Sequence, residues 1–341
     1  MNIDNKYIYT NSNILEKLLK FIINKSNKKI KENVCSYCNK KFNIVYTFKY
    51  KNTSIKITEN DIHLLNSHNI INANLYKQIT NRKFDDFEIE WYLIATNQLN
   101  ILDGLYEAGS NQIYGEKNKN LSQSKISRFS EHSGFVYFEK NKVSNINIIS
   151  GIRVEPSDPT IYMPKNCLEA LDVNYIFHTH PKTPYIGSRI KGGIVYEFPS
   201  ISDIIHFIDH HNNGKLLGSI VVAPEGVYII RKNNFNRKNI SVDYDIMIAE
   251  LEEIFTECYN DSYVKYSSIG YDKHKINNEI KLPETFFYNK ISTNYNYIDK
   301  INKVLLKYDI FIDYYARTHF DKTDFTSNKW IFDDIYLPFV N

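Results

Sequence analysis

The chain is predicted to adopt an α+β fold: a mixed sheet flanked by helices, with a small N-terminal module and a helical C-terminal extension. Three stretches carry the prediction. Asn174-Tyr-Ile-Phe-His178 is an apolar run of the kind that forms a buried strand. Pro199-Ser200-Ile-Ser-Asp203 places a hydroxyl residue three positions before an acid, which marks the first turn of a helix. Ser219-Ile-Val-Val-Ala-Pro224-Glu-Gly226-Val-Tyr-Ile-Ile is a pair of apolar extended segments around a Pro/Gly turn.

Taken in order, the first thirty residues carry an amphipathic helix. Asn13-x-x-Glu16 forms a capping box, and Ile14, Leu15, Leu18, Leu19, Ile22 and Ile23 make a broad apolar face that must pack on something. Alternating segments at Phe42 to Tyr50 and Ser54 to Thr58 predict a hairpin, and Asp61 to His68 a helix. Cys35-x-x-Cys38 before that hairpin and His63-x4-His68 on that helix match the plan of a structural zinc module, with 24 residues between the pairs. An incidental cysteine pair and surface histidines are the alternative. Residues 1–80 form this N-terminal unit, and residues 81–124 connect it onward, with a strand or helix pair around Phe87, Ile89, Trp91, Leu93 and Ile94. The polar run from Asn111 to Ser127 reads as a loop. Residues 125–235 form the core. In residues 236–341, helices are expected from Ser241 to Cys258 and from Thr293 to Lys307, and edge-like strands at Ile310 to Tyr315 and Trp330 to Phe339.

The chemistry concentrates in the core. At a strand end, residues two apart point to one side, so His178 and His180 aim their imidazoles into one space. Ser200 and Asp203, three apart on a helix, share a face. Two His, one Asp and a water would give zinc an open tetrahedral site. Read singly, Ser-x-x-Asp is also an ordinary helix cap and His-x-His a pair of solvated histidines; His206 and His210, on the same helix face as Asp203, are rival ligands.

These residues resemble the JAMM (MPN+) zinc metalloproteases, whose pattern is an upstream Glu, then His-x-His-Pro, then Ser-x-x-Asp. The upstream residue is Glu131 in Glu131-His-Ser-Gly134, and the resemblance covers roughly residues 125 to 235. It implies an MPN/JAB-type, cytidine-deaminase-like sheet, and hydrolysis of peptide or isopeptide bonds. His178, His180 and Asp203 would hold catalytic Zn2+, Glu131 would be general base, and Ser200 would donate to the oxyanion. Glu139, Glu155 and Glu197 are rivals for the base. Ubiquitin or ubiquitin-like conjugates are the implied substrates, with protein complexes as further partners. One departure is the nineteen residues between His180 and Ser200, longer than the family's usual interval. Gly192-Gly193 there suits a hairpin turn, and Tyr185 and Tyr196 on its arms are expected to flank a substrate.

Other classes fit less well. His-x-His also opens the metal site of amidohydrolase barrels, but those need about 250 residues of strand-helix units, and only 161 residues follow His180. A net charge of +3 on 341 residues gives no argument for a nucleic-acid or membrane partner. Lys40, Lys41, Lys49, Lys51 and Lys56 could touch phosphates, as a zinc-finger nucleic-acid-binding protein would require, but read as a solvated face that discourages edge pairing; a non-catalytic MPN scaffold protein is the other alternative, though every ligand position is filled here. No apolar stretch is long enough for a membrane span, no signal peptide is evident, and four cysteines do not make a secreted disulfide framework, so an intracellular protein is expected.

Overall fold

The computed structural model describes residues 7–10, 13–34, 40–50, 53–82, 89–110, 131–149, 168–180, 196–234, 237–268, 291–317 and 334–340. Its elements are β1 (Tyr7–Tyr9), α1 (Asn13–Asn24), β2 (Asn27–Val34), β3 (Lys41–Tyr50), β4 (Thr53–Thr58), α2 (Glu59–His68), β5 (Ile70–Asn72), α3 (Ala73–Thr80), β6 (Ile89–Ile94), α4 (Thr96–Ser110), β7 (Ser133–Glu139), β8 (Lys142–Ile149), α5 (Leu168–Asp172), β9 (Tyr175–Thr179), α6 (Ile201–Asn213), β10 (Gly218–Val222), β11 (Gly226–Lys232), α7 (Tyr244–Ser268), α8 (Asn296–Leu305), β12 (Ile310–Ala316) and β13 (Ile335–Val340).

Ten of these strands form one mixed sheet in the order β13-β6-β8-β7-β9-β10-β11-β12-β1-β5. Within it, β9 runs parallel to β10 and β6 to β8, and the other pairs are antiparallel. Every residue of β9, β10 and β11 is buried, which is the pattern of strands covered on both faces. Helices α4 and α6 pack on them. A parallel neighbour cannot be reached by a tight turn, so the chain crosses from β9 to β10 through α6. That crossover places the start of α6 at the end of β9, where the expected ligands lie.

The segments expected to flank the core are built into its sheet. From the N-terminal unit come β1 and β5, and from the last hundred residues β12 and β13. Strand β13 is an edge, as expected, and carries Pro338 where a missing N–H is tolerated. The edge-like reading of β12 is corrected: it lies between β11 and β1, buried at all seven positions. Its polar residue Asp313 is internal, paired with Arg231 on β11 inside the core.

Gly134 on β7 is needed for packing. A side-chain carbon there would overlap the carbonyl of Asn147 on β8 and come within 2.8 Å of the Phe177 ring on β9. Gly134→Ala is therefore expected to cost about 1–3 kcal/mol, the range for overpacking a tight core, read as a lower midpoint in denaturant. A midpoint unchanged would mean that β7 and β8 part without cost.

The other three strands form a separate antiparallel sheet, β2-β3-β4. Its β4 buries Ile55 and Ile57, and α2 packs on β3 and β4. Helix α2 begins two residues before the predicted Asp61, because Thr58 is the cap: its Oγ1 accepts from the Asp61 amide at 3.1 Å while the Thr58 amide donates to Asp61 Oδ2 at 2.8 Å. Among the described residues, no helix is long and apolar enough to cross a membrane.

Candidate metal centre

His178 is the penultimate residue of strand β9 and His180 follows the strand directly, both held by the sheet. The His180 amide donates to the Val222 carbonyl of β10 at 2.8 Å, and the Thr179 amide to the His132 carbonyl at 2.9 Å. Asp203 comes from the first turn of α6, whose N-cap is Ser200. The Ser200 amide and hydroxyl both donate to Asp203 Oδ2, at 2.7 and 2.8 Å, and Ser200 Oγ accepts from the Asp203 amide at 3.2 Å. A capping box thus fixes the carboxylate in one rotamer.

Ligand atoms of three residues converge. His178 Nε2 lies 3.1 Å from His180 Nε2 and 3.2 Å from Asp203 Oδ1, and His180 Nε2 lies 3.4 Å from Asp203 Oδ2. His178 and Asp203 are fully buried and His180 is 6% exposed. Burial alone would raise the Asp203 pKa, but the His178 and His180 imidazoles outweigh it and hold the carboxyl well below its usual range. Apart from the His178 ring nitrogen 3.2 Å away, the buried Oδ1 of Asp203 meets no hydrogen-bond donor among the described residues, so the carboxylate keeps a lone pair for a cation. Tetrahedral zinc bonds nitrogen and oxygen at about 2.0–2.2 Å, which separates its ligand atoms by about 3.3 Å. One ligand atom from each of the three residues lies within 4.8 Å of the other two, close enough to share one ion. These three residues are the group of His, Cys, Asp or Glu among the described residues able to hold a metal ion.

Glu131 stands beside them. Ser133 pairs with His178, and the hydrogen bonds between His132 and Thr179 continue the register, so Glu131 lies opposite His180 on the same sheet face. Its Oε2 is buried with no hydrogen-bond partner among the described residues. A buried carboxylate oxygen without a donor is where a water or a substrate proton would be received.

The rivals separate from this group. His206 is buried and stacks on His210 at 4.0 Å, outside the converging atoms. Glu139 is exposed at the far end of β7, and Glu155 lies outside the described residues. Glu197 contributes through its backbone, its carbonyl lying 2.7 Å from His180 Nδ1. A proton on Nδ1 leaves Nε2 as the lone-pair atom facing the centre.

One contributor carries no sequence signal. Glu225, in the β10–β11 turn, is fully buried, and its Oε1 accepts from the Glu197 amide at 2.8 Å and the Tyr228 hydroxyl at 2.6 Å. It therefore clamps the backbone that orients His180. Burial, reinforced by the charge of Glu225, raises the Tyr228 and Tyr297 phenols well above their usual value, so both stay protonated donors. A lone Glu in a Pro-x-Gly turn reads as an exposed turn residue, so only the folded packing reveals it.

The expectation for Tyr196 is corrected. Its ring is 2% exposed, stacks on Tyr297 at 4.0 Å, and accepts a hydrogen bond from Asn294 at 2.9 Å. A ring so enclosed cannot flank a substrate without leaving the core. Tyr185 and the expected Gly192-Gly193 turn lie outside the described residues, as do Cys35 and Cys38. Their partners on α2 are close together: the His63 and His68 rings are 5.6 Å apart, and Phe42 at the base of β3 is 5.1 Å from His63. Desolvation, then Lys40 and His68, lower the His63 pKa, which favours the neutral imidazole that binds metal.

No family model matches the chain, and no solved structure matches it. A protein of Acanthamoeba polyphaga mimivirus is 31% identical to it over 268 residues, spanning 77% of this chain and 69% of that one; its name, uncharacterized protein R413, assigns it no activity.

Proposed function

We propose that this chain, which belongs to the family of the mimivirus protein R413, is a zinc-dependent hydrolase of peptide or isopeptide bonds with a JAMM/MPN-type core. The observation that carries the reading is the buried convergence of His178 Nε2, His180 Nε2 and the Asp203 carboxylate, whose ligand atoms lie within 4.8 Å of one another. Glu131 opposite His180, with an unsatisfied buried oxygen, supports it. The order Glu131, His178, His180, Ser200, Asp203 supports the JAMM resemblance.

His178, His180 and Asp203 would hold the ion. When bound, zinc supplies Lewis acidity that brings the ionisation of water to about pH 7. Glu131 would accept the water's proton and return it to the leaving amine. Ser200 holds Asp203 through its hydroxyl proton, so the oxyanion role implied by the resemblance requires that proton to turn away from Asp203. Ubiquitin or ubiquitin-like conjugates, in which an amine leaves from a lysine side chain, are the proposed substrates.

We also propose a second, structural zinc held by Cys35, Cys38, His63 and His68. Val34 pairs with Lys41, so the six residues carrying both cysteines leave and re-enter the sheet at one point, next to Phe42 and its His63 contact. Metal analysis of the full chain is expected to find about two zinc ions, with one lost in His180→Ala and the other in Cys38→Ser. Cys38→Ser should also lower stability, while His180→Ala leaves the fold intact. Incubation with a panel of ubiquitin-like conjugates should give cleavage that a chelator stops. Zinc retained by His180→Ala, or cleavage indifferent to the chelator, overturns the assignment.

A further inference from the structure

We propose that the outer face of the β2-β3-β4 sheet is a docking surface for the phosphate backbone of nucleic acid, a role separate from the metal centre. The evidence begins with β2, eight residues that no sequence periodicity marks as a strand. Their pairing with β3 sets Lys29 beside Val45 and Asn27 beside Thr47, and β4 sets Lys56 beside Thr47, Ser54 beside Lys49 and Thr58 beside Val45. Directly paired residues share a face, and so do residues two apart along a strand. Lys29, Lys41, Lys49 and Lys56 therefore stand on one face, with Asn27, Val45, Thr47, Ser54 and Thr58 between them. The opposite face carries Ile44, Tyr46, Phe48, Ile55 and Ile57 and packs on the helices.

All four lysines are exposed, and none forms an ion pair with a described residue. The same holds for Lys28 and Lys31 on β2, where Ile30 is 82% exposed. Between Lys25 and Thr58 the chain has nine lysines and a single acid, Glu32, while the whole chain carries only +3, so the remainder is net acidic. The overall balance conceals this segregation.

Protection of a sheet edge accounts for lysines on β2 and β4, but not for Lys41 and Lys49, which sit on the central strand. A row from Lys41 to Lys49 is about 27 Å long at ~3.4 Å per residue, comparable with about eight stacked base pairs. Threonine and serine hydroxyls between the lysines are of the kind that donate to phosphate oxygens. The face has no aromatic side chain among its described residues, which argues against insertion into a bilayer and against reading of base identity by stacking. Binding is expected to be electrostatic and indifferent to sequence.

The test uses the full chain and labelled 30-nucleotide oligonucleotides of mixed sequence, single- and double-stranded, in a salt titration. Binding is expected at low salt, with log K falling against log salt at a slope of about −3 to −4 for four phosphate contacts. Lys29→Glu/Lys41→Glu/Lys49→Glu should weaken it tenfold or more and flatten the slope, and the corresponding triple alanine variant should do so more mildly. Lys17→Glu/Lys140→Glu/Lys142→Glu, which removes the same charge elsewhere, should leave it near the starting affinity. Circular dichroism checks that each variant is folded. Absence of binding at low salt, equal loss in both glutamate triples, or capture by phosphatidylserine vesicles but not by oligonucleotides overturns the proposal.

Discussion

Glu131→Gln is expected to lower turnover of a cleavable conjugate by a hundredfold or more while the zinc content stays at the starting value. The amide matches the carboxylate in size, so the β7 register opposite β9 is kept, but it cannot accept a proton, and loss of general base catalysis costs about 10²–10⁴-fold. The buried Oε2 of Glu131 forms no hydrogen bond with a described residue whose loss would disturb the fold. Single-turnover kinetics with metal analysis on the same sample separates the outcomes. Zinc lost with the substitution makes Glu131 a ligand, and turnover unchanged removes it from the chemistry.

Arg231→Met should cost about 3–5 kcal/mol of stability, the range for removing one partner of a buried ion pair. Arg231 on β11 and Asp313 on β12 are buried and paired twice, Nη2 to Oδ1 at 2.9 Å and Nε to Oδ2. Thr10 also donates to Asp313 Oδ1 at 2.8 Å, so the carboxylate is tied to the chain beyond β1 as well. With the guanidinium gone, an ionised Asp313 would sit between strands without its counter-charge. Arg231→Met/Asp313→Leu should recover much of the loss, because both charges leave together. Denaturant unfolding of the two variants checks this, and a double variant as unstable as the single would mean that the pair acts by shape alone.

What the sequence discloses depends on how each segment is buried. Helix α1 has a one-sided apolar stripe, and it forms over Asn13–Asn24 with Leu15, Leu18 and Ile22 buried. Strands β9, β10 and β11 are apolar runs, and they form the centre of the sheet. The metal cluster is legible because the strand period and the helix period each bring its members to one side before any tertiary contact is known. Strand β2 is hidden because Asn27-Lys-Lys-Ile-Lys is exposed on both faces, so no burial imprints an alternation on it. Strand β12 misleads because Asp313 is polar yet internal, its charge met by a residue eighty-two positions away. Glu225 is invisible for the same reason: its partners Glu197 and Tyr228 are meaningful only once the turn is folded against them.

The crossover from β9 to α6 has a consequence for how this protein tolerates change in length. The chain between His180 and Glu197 departs from a point pinned by the Val222 carbonyl and returns to one pinned by Glu225, whose carboxylate accepts from the Glu197 amide. Both anchors are fixed by groups outside the stretch between them. Doubling the residues held between two fixed ends costs only about 0.6 kcal/mol in closure entropy, less than one well-placed buried hydrogen bond returns. Lengthening between those anchors is therefore expected to leave His178, His180 and Asp203 in place, so that this interval varies in length among homologous chains more readily than the elements that carry those three residues.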